Sequence, residues 1–141
     1  MTPGDMARIH ALCSGETRAW SADEFTDLLS GFGVFVCSGP SGFAIGRVIA
    51  PEVELLLIAT HPDAQRQGLG RARLAAFEAH AQSAGAQRAF LEVSEHNSAA
   101  LALYSRAGWV RDGVRTAYYA QQDGQFADAV LMSKALGAQS A

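Results

Sequence analysis

Leu55-Leu56-Leu57-Ile58-Ala59-Thr60-His61-Pro62-Asp63-Ala64-Gln65-Arg66-Gln67-Gly68-Leu69-Gly70-Arg71 is the stretch that decides the fold. Its opening run, Leu55 to Ala59, is short, continuous and apolar, the pattern of a strand covered on both faces. Pro62 ends that strand. Gln65 to Gly70 has the form Q-x-x-G-x-G, and from Arg71 to Ala84 the spacing predicts a helix with Leu74, Phe77, Ala81 and Ala84 on one face. Glycines at a helix start let backbone come close to a ligand, and the unpaired N–H groups there favour an anion. The stretch is a cradle for a phosphate or pyrophosphate, or else an ordinary Gly-rich strand-to-helix turn. It is not a P-loop, which needs Gly-Lys-Ser/Thr. Nor is it a dinucleotide fingerprint, because Arg73 stands where a third small residue belongs and the end of the next strand offers no convincing acidic partner for a ribose.

The rest of the chain sets bounds. Its 141 residues suit one domain, expected over 1–136, with Gly137 to Ala141 as a loose tail. Apolar residues make up 49% and charged residues 18%, a globular composition. A formal net charge of −3 gives no reason to expect a nucleic-acid partner. Arg66, Arg71 and Arg73 form a local basic cluster, either a solvated helix start or a phosphate clamp. Cys13 and Cys37 are too few for a disulfide framework and sit among apolar residues, so buried free thiols in a reducing compartment are expected. No signal peptide, lipidation motif or membrane-length apolar run is visible, so the expectation is a cytoplasmic protein with no membrane partner.

In chain order, Thr2-Pro3-Gly4-Asp5 reads as a helix start, with Met6, Ile9, Leu12 and Cys13 inward, His10 structural and Gly15 as the stop. Ser21 to Glu24 is a capping box, and Trp20 and Phe25 are placed for a hydrophobic staple; Trp20 could instead line an entrance. Phe25, Leu28 and Leu29 face inward on that second helix. Val34 to Cys37 and Phe43 to Ile49 form a hairpin around the Ser38–Gly42 turn. The strand Val53 to Ala59 and the strand Gln87 to Ser94 flank the helix after the cradle. This is a β-α-β unit whose strands lie parallel. Asn97 caps a helix from Ser98 to Ala107 with Gly108 as its stop and Ala100, Leu103, Tyr104 and Ala107 on one face. Trp109 to Val114 reads as a strand, Tyr118 to Phe126 as a loop turning at Asp123-Gly124, and Ala129 to Lys134 as the last strand. The fold class is α/β: a mixed sheet with helices on both faces.

Few residues can carry chemistry. Glu92 is a carboxylate inside an apolar strand; burial would raise its pKa toward that of a general base, or an arginine pairs with it. Tyr104 is on the inward face of the next helix, as a proton donor or a core tyrosine. His96 is a rival base or a solvated surface histidine. Asn97 is accounted for as a cap. No His, Cys or Asp cluster has metal-ligand spacing, so no metal is expected, and no nucleophile elbow is present.

These residues fall into a known order. The strand and loop V/I-A-x-x-P-x-x-Q/R-x-x-G-x-G, Leu91-Glu92-Val93, Asn97-Ser98-Ala99-Ala100, Leu103-Tyr104 and Gly108-Trp109 resemble the signature of the GNAT N-acetyltransferases. The likeness runs from about Pro3 to Leu136. Trp20-Ser21 to Phe25, Tyr118-Tyr119 and Asp128 to Met132 are similar to the branch that acetylates ribosomal-protein alanine. The resemblance implies a mostly antiparallel sheet with a central parallel pair, and acetyl-CoA as acetyl donor. It implies that Ile58, Ala59 and Thr60 present backbone to the acetyl and pantetheine arms. Arg66, Gln67, Gly68, Leu69, Gly70 and Arg71 would hold the pyrophosphate, and Asn97 would contact the coenzyme. Glu92 would be the general base and Tyr104 the general acid. One departure is visible: relatives have a strand before the first helix, so the first edge strand here is missing or very short.

The chemistry expected is direct attack of a primary amine on the thioester, with no covalent enzyme intermediate. An α-amine, with pKa near ~8, asks less of a base than a lysine near ~10.4. The acceptor is expected to be a protein N-terminus, alanine of a ribosomal protein foremost, or a small amine. A non-catalytic acyl-CoA-binding sensor on the same fold is the reading from a different class.

Overall fold

The computed structural model describes residues 1–13, 18–65, 67–120 and 124–137, with Tyr119 and Ala120 described as backbone only. Gly15, Arg66, Asp123 and the tail beyond Gly137 therefore lie outside the described residues. Helix α1 (Pro3–Cys13) starts as expected: Asp5 N–H donates to Thr2 Oγ1 at 3.1 Å, and Thr2 N–H donates back to Asp5 at 2.9 Å. Its inward face is Met6, Ile9 and His10; Leu12 was expected there but is 53% exposed. Helix α2 (Ala22–Leu29) carries the reciprocal capping box of Ser21 and Glu24. The Trp20 and Phe25 rings lie 5.6 Å apart, so the staple forms.

Strands β1 (Val34–Gly39) and β2 (Gly42–Ile49) make the hairpin, and β3 (Glu52–Thr60) follows. After a 3-10 turn at Pro62–Ala64 comes α3 (Leu69–Ser83), then β4 (Arg88–Ser94). Helix α4 (Ser98–Arg106) and strands β5 (Val110–Ala120) and β6 (Phe126–Ala135) complete the chain. The sheet order is β1-β2-β3-β4-β6-β5; β3 and β4 are its parallel pair and every other neighbour is antiparallel. The last strand thus inserts between β4 and β5. The β5–β6 pairing extends both strands beyond their local signals: Tyr118 to Ala120 and Phe126, expected as loop, are strand.

Residues alternate between two apolar layers. Leu74, Phe77 and Ala81 of α3 pack with Leu55, Ala89, Leu91, Tyr104, Trp109 and Met132 on one face. Met6, Ile9 and Phe25 pack with Phe43, Ile45 and Ala59 on the other. Ala84, expected inward on α3, is exposed. Gly46 permits the first layer to close: a Cβ there would lie 2.5 Å from the Phe77 ring, which stacks on Phe35.

Two irregularities open the sheet. The β2–β3 ladder passes from Ile45↔Leu57 to Gly46↔Leu55, so Leu56 is an extra residue and β3 bends there. The β3–β4 ladder stops at Glu54↔Phe90. Beyond it the two strands part, which is why Leu56, Leu57 and Ile58 are only half-buried, against the expectation of a strand covered throughout.

Candidate active site

A groove of about 540 Å³ lies where β3 and β4 part. Five of the predicted site residues meet in it: Ile58 and Ala59 from β3, Glu92 from β4, and Asn97 and Tyr104 from α4 and its cap. Asn97 Oδ1 accepts from Ala100 N–H at 3.1 Å, so its capping role is real as well. Tyr104 is 5% exposed, its ring 5.9 Å from Trp109, and it forms part of the groove wall from within the core.

The opposite wall comes from α1 and the residues just before α2; of it, the sequence reading offered only Trp20 as lining an entrance. His10, Cys13, Arg18 and Trp20 line it. His10 is structural as expected: it is buried and its Nδ1 accepts the Trp20 N–H at 3.0 Å. Burial, then the nearby Arg18 charge, holds His10 below the ordinary histidine range, with Glu24 opposing. Trp20 serves both readings, stapling α2 and facing the groove. His96 also reaches the groove, with its side chain half exposed and Nε2 3.4 Å from Glu95. Cys13 and Cys37 are half-buried free thiols, more open than expected. Cys13 Sγ donates to the Thr60 carbonyl at 3.1 Å, and burial raises its pKa.

Glu92 is not in apolar surroundings. Arg115 Nη2 on β5 stands 2.8 Å from Glu92 Oε1, and the Glu92 side chain is 19% exposed. Arg115 in turn sits over the Tyr118 ring, 4.6 Å from its centroid. A second carboxylate, Glu54 on β3, lies near enough to feel Glu92. Burial and then the Glu92 charge push Glu54 above the ordinary carboxylate range, while Arg47 and Arg115 pull it down. Glu54 could have been found in the sequence, because alternation from Val53 and Leu55 puts it on the Glu92 side of the sheet. Arg115 could not, because the β5–β6 register that delivers it is non-local.

The cradle fits an anion. Gly68 caps α3 in the left-handed region (φ +76°) and makes no side-chain cap. A Cβ at Gly68 would meet nothing within 4 Å, and one at Gly70 would meet only Thr60 and Leu103 at 3.7 Å. Protein atoms therefore leave the first-turn N–H groups of α3 open. Gln67, Gly68 and Arg71 are exposed there, with Leu69 and Gly70 half-buried. The basic cluster divides, however: Arg73 turns back under the β1–β2 hairpin, where a Cβ on Gly39 would collide with its guanidinium. Thr60 and Leu69 join Arg73 around a separate cavity of about 130 Å³. The Thr60 carbonyl accepts from Cys13 and, at 3.1 Å, from Gln65 Nε2. Among the described residues no group of His, Cys, Asp or Glu gathers to hold a metal, and no helix is long and apolar enough to cross a membrane.

Comparison with known proteins points the same way as this geometry. The ribosomal protein bS18-alanine N-acetyltransferase of Escherichia coli strain K12 is 41% identical over 93 residues, 66% of this chain and 62% of that protein. The chain thus aligns with somewhat less than two thirds of that relative's length. The crystal structure of the E. coli ribosomal-protein-S18-alanine N-acetyltransferase superposes with a TM-score of 0.79 at 32% identity, covering 95% of this chain and 88% of that one. A Salmonella typhimurium protein solved with its cofactor acetyl-CoA shares the fold at 20% identity (TM-score 0.73, covering 100% of this chain and 94% of that one). The model of the acetyltransferase (GNAT) family matches residues 7–109, and with that span, fold and groove the chain belongs to the GNAT acetyltransferase family.

Proposed function

We propose that residues 1–136 form one acetyl-CoA-dependent N-acetyltransferase domain acting on the N-terminal α-amine of a protein, with an N-terminal alanine of a ribosomal protein as the leading acceptor. The observation that carries this reading is the groove itself. It brings Glu92 and Tyr104 to the place where β3 and β4 part, at the end of the strand that leads into an uncapped helix N-terminus. The acceptor assignment is supported by the likeness, in sequence and in structure, to the E. coli ribosomal-protein-S18-alanine enzyme.

Bound acetyl-CoA supplies the acetyl thioester. The first-turn N–H groups of α3, with Arg66 and Arg71, would hold its pyrophosphate, and Asn97 and the β3 backbone at Ile58 to Thr60 would hold its arm. Backbone N–H groups on the open side of β3 face the growing negative charge on the acyl oxygen. Glu92 takes the proton of the acceptor ammonium, directly or through one water, and so frees the lone pair for attack. Tyr104 returns a proton to the departing sulfur. An α-amine, near ~8, suits a single carboxylate base better than a lysine near ~10.4.

Two peptides of one sequence test this, one with a free N-terminal alanine and one blocked there but carrying a lysine. Acetylation confined to the free terminus is the expected result. Equal acetylation of the lysine, or activity on small amines alone, overturns the acceptor. Coenzyme binding with no transfer to any amine would leave a sensor.

A further inference from the structure

We infer that Arg115 is a positioning residue for the acetyl-transfer reaction. It holds the Glu92 carboxylate in place to receive the acceptor's ammonium. This rests on the reading of Glu92 as the base. Three features fix Arg115 where it is. Its Nη2 contacts Glu92 at 2.8 Å. Its guanidinium lies 4.6 Å over the Tyr118 ring. And the strand that bears both residues is deliberately irregular: the β5–β6 ladder jumps from Arg115↔Ala129 to Tyr119↔Ala127, so 116–118 oppose Asp128 alone.

That bulge is clamped. Ala117 takes φ +52°, a left-handed conformation unusual for alanine, and its N–H donates to Asp128 Oδ1 at 2.7 Å. Asp128 N–H donates to Glu95 Oε2 at 3.1 Å, and Glu95 N–H returns a bond to the Asp128 carbonyl at 2.9 Å. The β4–α4 loop, two residues from Asn97, thereby pins the bulge that brings Tyr118 back over Arg115. A regular strand would send these two side chains to opposite faces.

The titratable and charged groups around Glu92 come from several elements, while β6 sets Leu131 beside it. Strand β3 brings Glu54 and β2 brings Arg47, the register partner of Glu54; β5 brings Arg115. The α4 side brings Tyr104 and His96, and the α1 side brings His10, Cys13 and Arg18. Of these, Arg115 is the one whose ion pair with Glu92 is direct. A guanidinium favours the carboxylate form and a neighbouring carboxylate disfavours it. Arg115 and Glu54 should therefore move the acid limb of activity in opposite directions, which a merely structural role of either would not do.

The test is the pH profile of turnover on one acceptor peptide, whose own amine contributes equally throughout, for wild type, E92Q, R115Q, R115K and E54Q. Arg115 is half exposed on an edge strand, so its variants keep the fold, and melting temperature checks this. We expect the acid limb of R115Q to move to higher pH, because losing the guanidinium removes the charge that favours the carboxylate form. R115K should restore most of its position, and E54Q should move the limb down. A limb unmoved in R115Q, with E92Q inactive, overturns the role of Arg115 while leaving Glu92 as base. Full activity in E92Q overturns the base itself, and the role of Arg115 with it.

Discussion

The two ends of the candidate site, the cradle and the groove, are built in different ways. The proposed coenzyme end is backbone from consecutive residues: the end of β3, the loop after it and the first turn of α3, with Gly68 and Gly70 leaving room for a ligand. The proposed acceptor end is side chains from four strands and two helices, with Glu54, Glu92 and Arg115 drawn together from positions up to 61 residues apart in sequence. A backbone site needs only local geometry, so substitution there is close to all-or-none. A side-chain site divides its work among residues, so substitution there is graded.

The largest expected effect is at the coenzyme end. Acetyl-CoA should raise the melting temperature by mass action, and Gly70→Val should abolish that shift while the unliganded fold survives, since a Cβ at Gly70 meets protein only at ordinary contact distance. Gly68→Val is the less clean probe, because its left-handed backbone adds about 1–2 kcal/mol of strain for any side chain. Undiminished binding in Gly70→Val would break the comparison at once.

Next come the graded effects. Glu92→Gln should lower turnover by ~10² to 10⁴-fold with coenzyme binding nearly unchanged, most severely at low pH where the amine is most protonated. Tyr104→Phe should slow the chemical step by less, and steady-state rates with thermal-shift binding separate the two effects. Asn97→Ala should cost about 1 kcal/mol of stability through the lost cap, and, if Asn97 also touches the coenzyme, should weaken the acetyl-CoA shift as well. A stability loss with full binding would confine Asn97 to capping.

The smallest effect is a pH dependence of the acceptor wall. Burial holds His10 below the ordinary histidine range, so the unfolded chain takes up that proton more readily than the folded one. The contribution of neutral His10 is therefore complete above the unfolded value near ~6.5 and is lost as pH falls from there through the lower folded value. Urea melts between pH 8 and 5 should show this decline, and His10→Gln should flatten it. Protonation would also remove the acceptor of the Trp20 N–H. An unchanged slope in His10→Gln would mean that other groups carry the acid sensitivity.

The difference between the ends is also the difference between what was legible and what was not. Period-2 and period-3.6 patterns, the Ser21 and Asn97 caps, and Q-x-x-G-x-G named the helices, the parallel β-α-β pair, the cradle and the candidates Glu92 and Tyr104, because each is a property of neighbouring residues. Boundaries failed where long-range pairing overrode local signals. Tyr118 to Ala120 became strand because β6 lies beside β5, and Leu12 and Ala84 turned outward because no layer covers them. Tertiary structure alone decided that β3 and β4 part after Glu54, that Leu56 bulges, and that Arg73 leaves the cradle for the hairpin. It alone put Arg115 on Glu92. Ion pairs and groove walls depend on register between strands distant in the chain, and register is set by the whole packed sheet rather than by any one segment.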